Sequence, residues 1–149
     1  FKKLDTIKSD IVWWSGGAQS QQLLASGEAA FGQLWNGRVF ALQQEGADVG
    51  VSWDQNMTAA DLLVVPKGAK NKDAAMKFLA NATSPKAQAS FAEATGYAPI
   101  NTAAKAEMPA DVVKSLPDAH TEGQIDLDMN YWAQNRDAIA ERWYAWQAK

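Results

Sequence analysis

The chain has 149 residues, a mass of 16.2 kDa, 47% apolar and 21% charged residues, a formal charge of -3 and a pI of about 5.1. That composition is that of an ordered globular protein and excludes disordered, collagenous and disulfide-knotted classes. No basic stripe marks a nucleic-acid partner, and no apolar window is long enough to span a membrane. Cysteine is absent, which excludes thiol chemistry, disulfides and thiolate metal sites; the single His120 argues against a histidine-built metal centre or a serine triad. The unusual count is seven tryptophans.

No signal peptide opens the chain. Phe1-Lys2-Lys3-Leu4 reads as the middle of an amphipathic helix with Leu4, Ile7 and Ile11 on one face, as expected of a mature, trimmed or partial polypeptide. Ile11-Val12-Trp13-Trp14 is an apolar run stopped by Ser15-Gly16-Gly17. Gln19 to Ser26 reads as a helix closed by Gly27. Ala29 to Trp35 reads as a buried strand broken by Asn36-Gly37, and Arg38 to Glu45 as a helix ended by Gly46. Val49 to Trp53 alternates as a strand does. This rhythm predicts an α/β layered fold.

Asp61 to Pro66 reads as a strand with a β-branched core, and Lys67 to Lys70 as a turn. Asn71 is placed to cap a helix with Ala74, Ala75, Phe78 and Leu79 on its apolar face. Ser84-Pro85 reads as N-cap and first helical residue of the next helix, with Phe91 toward the core and Gly96 at its end. Pro109 to Ser115 is a short predicted helix and Tyr131 to Gln147 a long one, whose Trp132, Ile139, Trp143 and Trp146 share a face. No internal repeat or low-complexity linker is present.

Enzyme signatures are missing: no nucleophile elbow, P-loop, dinucleotide fingerprint or H-E-x-x-H. Asp126 and Asp128 read as solvated surface, and their loop lacks the ligand set and glycine turn of a calcium site. Lys67, Lys70 and Lys72 read as a solvated turn. Four residues stand at element ends, where α/β proteins bind ligands: Trp35, Arg38, Asp61 and Tyr97. An aromatic ring beside a carboxylate suits an alkylammonium group, and an Arg fork suits a carboxylate. Each also has a structural reading: the aromatics as core, and Arg38 with Asp61 as an ion pair across the fold.

At these residues the chain resembles the C-terminal half of periplasmic solute-binding proteins of ABC transporters, in the polyamine (spermidine/putrescine)-binding group. The resemblance is carried by Ser26-Gly27-Glu28, Leu34-Trp35-Asn36-Gly37-Arg38, Asp61 through Lys72, Ala74 through Phe78, Ser84-Pro85 and Thr95-Gly96-Tyr97-Ala98-Pro99-Ile100-Asn101. It implies a periplasmic-binding-protein-like two-lobe fold of type II. Residues 1–58 would form part of the second lobe, 59–100 would return to the first, and 101–149 would complete the second. The implied partners are a small amine-bearing ligand, a membrane permease, and the missing N-terminal half, with no nucleic acid and no cofactor; the implied location is periplasmic. By motif, Trp35 and Tyr97 look like walls of the ligand site and Asp61 like the carboxylate that holds an ammonium.

Two positions depart from the polyamine pattern. Arg38 would repel a diamine, and Ala59 stands where polyamine binders often carry Trp. Arg38 with Asp61 suits a zwitterion such as γ-aminobutyrate, carboxylate on the guanidinium and ammonium on the carboxylate. The sequence therefore predicts a non-catalytic capture protein that closes on an amine-bearing solute. The alternative is an interaction module using the Trp-rich C-terminal helix.

Overall fold

A computed structural model describes all residues, 1–149. Seven α-helices run in chain order: α1 (Lys2–Asp5), α2 (Gly17–Ala25), α3 (Asn36–Gln44), α4 (Lys72–Ala82), α5 (Pro85–Thr95), α6 (Ala110–Ser115) and α7 (Met129–Gln147). The strand content is one parallel pair, β1 (Met57–Thr58) beside β2 (Ile125–Asp126).

Helix ends obey local chemistry. The Ser84 hydroxyl accepts from Ala87 N at the start of α5, and Pro85 occupies the first turn, where its missing N–H costs nothing. Asp128 Oδ1 accepts from Asn130 N and Tyr131 N, at 3.0 and 2.9 Å, at the start of α7. Gly96 closes α5 at φ +73°, a left-handed conformation that side chains with a Cβ resist. Asn71 stands at the N-cap of α4 but its side chain accepts no bond there.

The central core joins α5 to the segment running from Ala104 to Leu116. Ala89, Ala92, Ala104, Met108 and Leu116 are buried together, with Val112 and Val113 against them. Asn101 fastens this unit, its backbone N–H donating to Gln88 Oε1 at 2.7 Å and its side-chain amide to Thr83 O at 2.9 Å. The chain ends meet elsewhere. Phe1 stacks on Trp146, Trp13 meets Trp143 and Trp146 edge-on, and the Trp146 indole donates to Asp5 Oδ1 at 2.6 Å. Lys8 Nζ donates to the Trp146 carbonyl at 2.6 Å and lies over its ring. Of the predicted C-terminal tryptophan face, only Trp146 is buried.

The β1–β2 pair is held by Asn56. Its side-chain amide donates to Trp53 O and His120 O, its carbonyl accepts from Ile125 N, and Gln124 Nε2 donates to its Oδ1. Trp53 and His120 stack on each other with their planes 5° apart.

The predicted strands at Ile11–Trp14, Ala29–Trp35, Val49–Trp53 and Asp61–Val65 are not paired strands here. Residues 59–65 make no backbone hydrogen bond at all, and Leu62 and Val64 are 78% and 74% exposed. A strand exists only through its neighbours, and these 149 residues contain none for those runs. Phe91, expected in the core, is exposed on α5, and Phe78 is exposed on α4. Both rings remain more than half exposed on their helix faces.

The total surface carries the same message. A compact monomer of this mass exposes about 7,500 Å². This chain exposes 11,422 Å².

Candidate functional site

Three of the four predicted site residues come together around the first turn of α3. Trp35 is its N-cap residue, in extended backbone, and carries no capping bond of its own. Its ring is 55% exposed and meets Trp14 edge-on, with centroids 5.8 Å apart. Arg38 lies one turn on, half-buried, with its guanidinium in neither a salt bridge nor a hydrogen bond.

Tyr97 reaches the same turn from the end of α5. Asn36 Nδ2 donates to Gly96 O at 2.7 Å, tying the two segments together. A Cβ on Gly37 would lie 2.7 Å from Tyr97 Cζ and 2.9 Å from Thr95 O, so the Tyr97 ring rests on bare backbone. A Cβ on Gly96 would lie 2.8 Å from Phe40, so the docking needs glycine on both sides. Phe91 stacks on Tyr97, planes 17° apart.

Asp61 stands apart. It is exposed at the start of the unpaired 61–65 run and makes no ion pair. The ion pair between Arg38 and Asp61 is not formed; the single salt bridge joins Lys105 to Asp118 at 2.6 Å. Lys67, Lys70 and Lys72 are exposed on their turn. No three His, Asp or Glu side chains converge as metal ligands, and no helix is long and apolar enough to cross a membrane.

The space beside the α3 turn is about 30 Å³, lined by Asn36, Phe40 and Gly96 among others, room for water alone. A larger hollow of about 470 Å³ opens beside Trp53, Asp54, His120 and Glu122. It includes none of the predicted residues, and Trp53 and His120 spend one ring face each on the other. The α3 turn therefore presents an aromatic wall and an uncommitted cation close together. It does not enclose a ligand by itself.

Sequence reasoning missed the supports of this wall. Asn36-Gly37 registers in the sequence as a strand breaker, yet its work is to dock Tyr97 against α3. Trp14 registers only as part of an apolar run. Nothing local in the sequence announces either role.

With the aromatic surface and the free guanidinium of the α3 turn described, comparison with known proteins places the chain. The chain belongs to the bacterial extracellular solute-binding protein family, whose profile matches residues 1–121. It is 35% identical over its whole length to the gamma-aminobutyric acid-binding protein of Pseudomonas aeruginosa, covering 43% of that protein. It is 34% identical to the spermidine/putrescine-binding periplasmic protein of Salmonella typhimurium, across 79% of this chain and 35% of that one. A solved GABA receptor superposes with a TM-score of 0.88 at 69% identity, over 99% of this chain and 46% of the receptor. An ABC transporter substrate-binding protein from Bradyrhizobium japonicum also gives 0.88, at 35% identity over 99% of this chain and 48% of that one. The fold is thus that of the periplasmic substrate-binding proteins. The chain spans about half the length of the relatives it matches.

Proposed function

We propose that the protein to which these residues belong is the substrate-binding component of an ABC importer. It captures a small amine-bearing solute between two lobes in the periplasm and delivers it to a membrane permease, without catalysis. The ligand is a zwitterionic ω-amino acid such as γ-aminobutyrate rather than a polyamine. The observation that carries this choice is the uncommitted Arg38 guanidinium beside the exposed Trp35 ring. A diamine gains nothing from that cation, whereas a carboxylate gains a charge-assisted fork. Asp61 serves the ammonium end, and Tyr97 adds a second aromatic wall.

In this reading, residues 1–58 belong to the second lobe and the chain enters the first lobe at residue 59. That first-lobe segment runs to residue 100, and residues 101–149 complete the second lobe. The missing N-terminal half supplies the strands that 59–65 lacks and the opposite wall of the cleft.

Native mass spectrometry of the complete protein as purified, with subsequent exchange against γ-aminobutyrate and putrescine, tests the reading. Retention of an amino-acid-sized mass displaced by γ-aminobutyrate is the expected result. Retention of a polyamine overturns the zwitterion assignment. Binding of neither compound overturns the capture of amine-bearing solutes.

A further inference from the structure

Gly17 is buried at the first position of α2. A methyl group placed there would lie 2.7 Å from Arg38 Nε, 2.9 Å from Trp35 Cζ3 and 3.0 Å from Trp35 Cε3. All three fall well inside the contact distance of about 3.5–4.0 Å between non-bonded heavy atoms. The space that a Gly17 Cβ would fill is therefore occupied by Arg38 Nε and the edge of the Trp35 indole. Gly16, one residue earlier, has nothing within 4 Å of the same point.

The backbone does not require glycine at this position. Gly17 is absent from the residues with left-handed φ, and alanine is the better helix former. Glycine here works against local helix preference. What it serves is the approach of the two side chains from the α3 turn.

We propose that Gly17 is a positioning residue for ligand selection. Its bare Cα leaves room for the Arg38 side chain and the edge of the Trp35 ring to lie over the start of α2, and so favours a carboxylate-bearing amine over a diamine. This rests on the proposed function. Trp14 holds Trp35 edge-on, so the indole is located by Trp14 and by Gly17 together. Trp35 is exposed and Arg38 is flexible at its outer bonds, so an added methyl moves these side chains and leaves α2 in place. The expected signature is altered selectivity in a folded protein.

The test uses the complete protein in four variants: Gly16→Ala, Gly17→Ala, Arg38→Ala and the double Gly17→Ala/Arg38→Ala. Affinities for γ-aminobutyrate and putrescine are measured by calorimetry. The Trp35 indole N–H resonance is followed in the ligand-free protein, assigned with Trp35→Phe. In Gly17→Ala the γ-aminobutyrate affinity is expected to fall at least about tenfold, putrescine to change less than about threefold, and the first loss to disappear in the Arg38→Ala background. The indole resonance moves in Gly17→Ala and stays in Gly16→Ala. Equal losses for both ligands that persist without Arg38 overturn the proposal, as does an unmoved resonance. A wild-type protein that binds neither ligand refutes the proposed function, and the resonance then decides the placement role alone.

Discussion

Replacing Arg38 by alanine separates the two ligand classes most sharply. The guanidinium is half-buried and carries no partner, so its removal strands no buried carboxylate and breaks no internal bond. Each hydrogen bond it would give a bound carboxylate contributes about 1.5–3 kcal/mol, and a bidentate fork adds a second. Discounting for partial exposure, we expect a loss of about 3 kcal/mol for γ-aminobutyrate, roughly a hundredfold in Kd. For putrescine the sign reverses. A guanidinium about 6 Å from an ammonium repels it by roughly 3 kcal/mol at an effective dielectric of about 20, and solvent screening reduces this to about 1 kcal/mol. Putrescine affinity should therefore rise about fivefold. Calorimetric titration of the complete protein with both ligands, at low and at high salt, reads both effects. If the two ligands weaken by the same factor, Arg38 is a structural support and the zwitterion argument is wrong.

The supports of the fold can be probed by unfolding. Gly96→Ala forces a Cβ onto a residue at φ +73° and to within 2.8 Å of Phe40; we expect a loss of about 2–3 kcal/mol in urea unfolding of the complete protein. A variant as stable as wild type would show that the α3–α5 docking relaxes freely. Asp128→Ala removes the side chain that accepts from Asn130 N and Tyr131 N at the start of α7. It should cost about 1 kcal/mol in the same assay, and Asp128→Asn should restore most of it.

Helix punctuation was readable in the sequence because it is local chemistry. Ser84-Pro85 opens α5, and Gly27, Gly46 and Gly96 come after helices at positive φ. The start of α7 falls two residues before the predicted Tyr131, where the Asp128 carboxylate reaches the free N–H groups. Strands were not readable in the same way. Alternating apolar residues at Val49–Trp53 and a β-branched run at Asp61–Val65 say which residues can be buried, and nothing about what buries them. Phe91 failed for the same reason, since its place on an apolar helix face does not guarantee a covering partner in the chain. The candidate site was legible as residue types at element ends, and the structure brings Trp35, Arg38 and Tyr97 of that set together. The contacts made possible by Gly17 and Gly37 were not, because each depends on a side chain from a distant segment.

The uncovered surface and the incomplete site are connected through Phe91. The excess over a compact monomer of this mass is about 4,000 Å², more than the roughly 1,200–2,000 Å² of a standard interface. Part of it is the row Leu62, Leu63 and Val64, and part is Phe78 and Phe91 on α4 and α5. Phe91 stacks on Tyr97, and Tyr97 lies on Gly37 at the turn that carries Trp35 and Arg38. On the proposed reading, the N-terminal half covers the exposed face of α5 that carries Phe91. Burying Phe91 then presses Tyr97 onto the α3 turn and restricts its rotation. On the same proposed reading, pairing of residues 59–65 gives Asp61, now unpaired and exposed, a fixed register. On that reading, the segment that pairs with residues 59–65 also fixes where the Asp61 carboxylate lies relative to Arg38.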